Sequence, residues 1–165
     1  MLAEGKVDSV TGFSFSSYLN LVRLGVPEED ISTILMADHG LKLYGNAVIV
    51  NTDYAKNNSD MVKKFLVAIG AGWRDAIKDP KAAAAALVKR NPAADAALEQ
   101  RRLQLAIDAN VLTDYVKANG MGGVDSSRFA AAIEQLSETY EYKAAPNAAL
   151  YFTDEYLPAS GISLN

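Results

Sequence analysis

Apolar and polar positions follow two different rhythms along this chain. Up to residue 58, short β-prone runs at residues 7–11, 31–36 and 47–50, none interrupted by proline, predict three strands. Between the first two, residues 16–24 set Leu19, Val22 and Arg23 at helical spacing and place Gly25 where a helix is capped. Pro27-Glu28-Glu29-Asp30 then supplies a turn back. Strand, helix, strand is the order of a βαβ unit, so an α/β fold with a short, mainly parallel sheet is expected.

From residue 59 onward the period changes to that of helices. Ser59 or Asp60 is placed to cap a long helix whose stripe comprises Val62, Phe65, Leu66, Ile69, Trp73, Ala76 and Ile77, with Lys63, Lys64 and Arg74 outside it. Asp79-Pro80 predicts a stop and a fresh start, because proline is tolerated in a helix's first turn, and Asn91-Pro92 repeats the device. The alanine run from Ala82 to Ala86 sits between these prolines and predicts a helix packed closely on a neighbour. Leu98, Leu105 and Leu112 recur at sevens, and Phe129, Ile133, Leu136 and Tyr140 form a further stripe behind the cap Asp125. Residues 146–158, aromatic and bounded by proline, predict a segment laid over a surface. Residues 1–58 are thus read as an α/β part, and 59–165 as the helical part and return segment of the same domain.

Composition narrows the chemistry. The 165 residues include no cysteine and one histidine, His39, so no disulfide, thiolate nucleophile, metal site or cofactor is expected. A formal charge of -4 argues against a nucleic-acid surface, which requires a basic patch. No apolar run approaches the ~20 residues of a membrane span, and the opening residues lack the layout of a signal peptide. Gly5-Lys6-Val7-Asp8 leads directly into a predicted strand, from which a missing N-terminal portion is expected.

Two loops are candidates for binding. Thr11, Gly12, Phe13, Ser14, Phe15 and Ser16 lie between a predicted strand and a predicted helix, where open α/β sheets bind ligands and helix N-termini offer free N–H groups. The competing reading is an ordinary turn, its serines capping the helix and its phenylalanines in the core. No glycine-rich phosphate fingerprint is present. Tyr44, Gly45 and Asn46 precede the third predicted strand with a ring, a permissive backbone and an amide. Asp38 and His39 are adjacent and face no marked nucleophile, so no catalytic residue is assigned. Arg101 and Arg102 are read either as a clamp for a carboxylate or sulfonate or as a solvated helix face.

Residues 2–12 (from Leu2-Ala3-Glu4-Gly5-Lys6-Val7), 44–51 (Tyr44-Gly45-Asn46-Ala47-Val48-Ile49-Val50-Asn51), 57–83 and 151–158 together resemble the NMT1/THI5-like family, the substrate-binding proteins of the nitrate, sulfonate and thiamine-pyrimidine group. The resemblance implies a type II periplasmic-binding-protein-like lobe, with the N-terminal lobe largely missing from this chain. It further implies a solute held in an interlobe cleft and delivered to ABC permease subunits in the membrane. Periplasmic or other extracytoplasmic placement follows, with a signal peptide upstream and a possible dimer through the surface that the missing lobe exposes. Residues 12–16 and 44–46 match the family's post-strand loops and are implied to line the cleft. A THI5-type pyrimidine synthase, which shares the implied fold, is the second reading, although the histidine- and cysteine-rich motifs implied for it are absent here. An effector-binding domain of a transcriptional regulator is the third reading.

Overall fold

In a computed structural model, which describes residues 1–164, the chain is helical. Seven α-helices follow in order: α1 Leu19–Arg23, α2 Thr52–Asn57, α3 Ser59–Lys78, α4 Pro80–Arg90, α5 Ala96–Ala106, α6 Asp114–Asn119 and α7 Ser126–Thr139. Short 3-10 and π turns, notably Ser14–Tyr18 leading into α1 and Ile107–Val111 continuing α5, connect them.

The expected α/β fold is corrected by this arrangement. Among the described residues there is no sheet, and the single β-bridge pairs Met121 with Ile162, outside every predicted strand. Residues 7–11, 31–35 and 47–50 carry no ladder hydrogen bonds and stand largely in solvent: Ile34 is 72% exposed and Ile49 92%. The physical reason is that β-propensity describes how well a residue fits a pleated, half-buried surface. A β-prone run without a neighbouring strand has no such surface. A parallel sheet is therefore absent, and with it the type II lobe architecture.

The helix boundaries follow from local chemistry. Asp79 accepts a hydrogen bond from the Ala82 N–H (2.9 Å) and Pro80 fills the first position of α4, where a missing N–H costs nothing. Asp125 caps α7 through the Arg128 N–H (2.7 Å). Helix α5 begins later than Asn91-Pro92 foretells, because Asp95 takes the cap by accepting from the Leu98 N–H (2.7 Å). After α1, the Gly25 and Val26 N–H groups return to the carbonyls of Val22 and Leu21 (3.0 and 3.1 Å), the paired bonds of a Schellman stop.

The backbone groups into two compact units, each discontinuous in sequence. The first comprises Met1–Leu35 and Trp73–Asp114, where α4 packs on α5 and the Ser14–Tyr18 turn packs on α5 as well. Its core residues are Leu19, Ala84 and Ile107. Ala84 belongs to the alanine run, whose small side chains let the two helices approach closely. The second unit comprises Met36–Gly72 and the chain from Tyr115 onward, with Ala55, Val62, Ala132 and Ile162 buried. There the closing segment lies over its neighbours: Phe152 meets Phe129 at 6.2 Å, and Ile162 pairs with Met121. Few large side chains are sealed from water in either unit, and Leu19 alone among the described residues is both bulky and fully buried. No described helix is long and apolar enough to cross a membrane.

Candidate functional site

In the first unit, the segment Thr11 to Ser16 forms an exposed entry into a helix, although no strand precedes it. The Phe13 backbone is extended (φ -79°, ψ 135°), and its carbonyl accepts from the Ser16 and Ser17 N–H groups (3.0 and 2.9 Å) and from the Ser16 hydroxyl (3.3 Å). Phe13 and Phe15 stack with ring centroids 5.1 Å apart and planes 17° from parallel, and Phe13 remains half exposed. A Cβ built on Gly12 would stand 1.9 Å from the Ser17 Oγ, so the loop backbone rests directly on that hydroxyl. Thr11 and Gly12 are exposed, and Ser14, Phe15 and Ser16 are half-buried.

Both arginines of α5 act on this region rather than standing free. Arg102 donates to the Glu99 carboxylate (3.1 Å), the Phe15 carbonyl (3.2 Å) and the Asn20 side chain (3.4 Å), which fixes the loop against α5. Arg101 grips Glu28 with both ends of its fork (2.8 and 2.6 Å), and the Tyr18 hydroxyl donates a short hydrogen bond to the same carboxylate. The guanidinium also lies 5.7 Å from the Tyr18 ring centre. Arg101 is thus neither open to a ligand nor a free helix face: the chain's own Glu28 occupies its fork.

Those contacts hold the Glu28 carboxyl at about 2, against an ordinary 4.5, first through Arg101 and then through Tyr18. The Tyr18 phenol is pushed up, chiefly by its hydrogen bond to Glu28. A carboxyl whose folded value is depressed favours the folded state above its unfolded value and loses that contribution as pH falls. The loss here is expected between about 4.5 and about 2. All three groups are open to solvent, which screens the effect. A carboxyl-carbon NMR titration checks it: Glu28 should titrate near 2, and Arg101→Gln should return it toward 4.5. A wild-type midpoint already near 4.5 would contradict the arrangement.

The Tyr44–Asn46 candidates fall in the second unit, by a different design. The Tyr44 hydroxyl accepts from the Asp125 N–H (2.8 Å), its ring carries the Arg128 guanidinium at 4.6 Å, and it meets Phe129 at 6.2 Å. Tyr44 therefore pins the start of α7, while Gly45 and Asn46 are exposed. Gln135 donates to the Gly40 carbonyl (2.8 Å) and accepts from the Lys42 N–H (2.9 Å), and Arg128 donates to the carbonyls of Lys42 and Leu43 (3.3 and 3.0 Å). Sequence reading missed Arg128 and Gln135. Their separation of seven residues, two turns on one face of α7, is the signal that was available. The two candidate segments are thus carried by different units.

The family model described as NMT1/THI5 like matches residues 1–83, half of the chain and the part that contains both segments. The chain belongs to the NMT1/THI5-like family. That family includes substrate-binding proteins of ABC transporters, which places a ligand-binding, transport-related role on the chain at family level. No curated protein and no solved structure matches the chain. Among the described residues, no cluster of three or more histidine, aspartate or glutamate side chains is grouped to hold a metal ion.

Proposed function

We propose that this NMT1/THI5-like chain is the solute-binding component of an ABC importer, which captures a small polar or heteroaromatic molecule and hands it to a membrane permease outside the cytoplasm. The family match over residues 1–83 carries the reading. The geometry of residues 11–16 supports it: a half-exposed Phe13 ring backed by Phe15 offers a flat face to a planar ligand, with hydroxyls beside it. Arg102 holds that loop in place from α5, so little ordering remains to be done on binding.

A thermal-shift panel tests it with nitrate, an alkyl sulfonate and a hydroxymethylpyrimidine. A ligand held at about 100 times its Kd stabilises the native state by about 2.7 kcal/mol and raises Tm by several degrees. Phe13→Ala should abolish that rise while leaving the unliganded Tm nearly unchanged, because the ring is already half in solvent. If none of the solutes moves Tm, or if Phe13→Ala retains the full rise, the assignment to this loop fails.

A further inference from the structure

Arg101 and Arg128 differ in what answers their charge. Arg101 is matched by Glu28, whereas Arg128, in the first turn of α7, is held by groups that carry no charge: the carbonyls of Lys42 and Leu43 and the ring of Tyr44. Among the described residues, neither Arg128 nor Lys42 forms an ion pair. Beside them is a depression of about 530 Å³ lined by Ala37, Leu41, Lys42, Ser127 and Arg128. Its lining thus holds three polar side chains, two of them cationic, and two apolar ones.

The acid that caps α7 argues the other way and has to be counted. Asp125 is within reach of Arg128's charge, which helps to hold its carboxyl below the ordinary value, after the hydrogen bonds from the Ser127 hydroxyl and the Arg128 N–H. Its Oδ1 is already committed to the Ser127 hydroxyl (2.6 Å) and the Arg128 N–H (2.7 Å), the usual work of a helix cap. Lys42 and Arg128 together outweigh it by one unit of positive charge. An arginine whose rotamers are fixed by carbonyls and a ring loses little entropy when it binds an oxyanion, and its fork suits two oxygens at once.

We infer that this depression on the second unit binds a phosphoryl group, inorganic phosphate or the head of a phosphate monoester, between the Arg128 guanidinium and the Lys42 ammonium, with the Ser127 hydroxyl left on Asp125. Ala37 and Leu41 give the organic part of a monoester an apolar wall. This site is separate from the loop at residues 11–16, belongs to the other unit, and stands whether or not that loop binds a solute.

The test is a titration of the full chain with inorganic phosphate at low ionic strength, followed by amide NMR, with phenyl phosphate in a parallel arm. The expected result is saturable shifts at the Lys42, Ser127 and Arg128 amides. Lys42→Gln should weaken the fitted Kd by about tenfold, the usual scale for one lost charge-assisted contact. Arg128→Gln also frees two carbonyls, so Lys42→Gln, whose ammonium makes no hydrogen bond among the described residues, is the deciding variant. Arg101→Gln should leave the titration unchanged. Tighter binding of phenyl phosphate than of inorganic phosphate assigns the apolar wall to a monoester, and equal binding assigns the site to the free ion. The inference is overturned if phosphate shifts none of these amides, if Lys42→Gln titrates like wild type, or if chloride at equal ionic strength gives the same shifts.

Discussion

Gly161→Ala is expected to detach the closing segment of the chain and to lower Tm by about 5 °C or more, the consequence of losing more than about 2 kcal/mol in a domain of this size. Gly161 holds φ +69°, a left-handed conformation that costs an alanine roughly 1–2 kcal/mol. A Cβ there would also sit 2.6 Å from the Asn119 carbonyl oxygen and 3.1 Å from the Gly120 Cα, both backbone atoms that no rotamer change can move. Gly120, at φ +77°, is in the mirror position, its own Cβ falling 2.6 Å from the Ser160 carbonyl oxygen. Between them runs the Met121–Ile162 bridge, with N–H to O=C bonds of 2.8 and 2.9 Å in the two directions. Hydrogen exchange at the Met121 and Ile162 amides is the direct readout. Unchanged protection of both in the alanine variant would refute the close approach.

Leu19→Ala should cost about 2–5 kcal/mol, the range for emptying a sealed leucine site. Leu19 is fully buried where α1 continues the Ser14–Tyr18 turn, and that turn packs on α5. The cavity would therefore loosen the support beneath Phe13 and Phe15 as well as the unit's core. Chemical denaturation measures the first effect. Loss of the solute-induced Tm rise proposed for the loop would follow at temperatures where the variant is still folded. A stability loss below about 1 kcal/mol would mean that the site collapses to fill itself.

What could be read in the sequence was local. The starts of α3, α4 and α7 were legible because a cap such as Asp79 or Asp125 and a breaker such as Pro80 act within three or four residues of themselves. The later start of α5 was not, since Asp95 and Asn91-Pro92 both offer plausible beginnings and only packing chooses. The β-prone runs at 31–36 and 47–50 misled for the opposite reason: whether such a run becomes a strand is decided by a neighbour distant in sequence, and composition is silent about that neighbour. The arginine pair on α5 was open to two readings, a clamp for a ligand or a solvated helix face, and Arg101 instead pairs within the chain. Its partner, Glu28, lies 73 residues away and carries no pattern that announces the pairing. The family resemblance was legible because it is spread over several short pieces in fixed order, and the match over residues 1–83 bears it out.

Three ties join α7 to residues 40–44. Gln135 supplies the rungs that an adjacent strand would normally provide, Arg128 grips two carbonyls, and the N–H of the cap residue Asp125 is answered by Tyr44. Opening α7 along the face from Asp125 to Gln135 therefore releases residues 40–44 as well. Whatever stiffens that face is felt by residues 40–44 as a change in how often this latch opens.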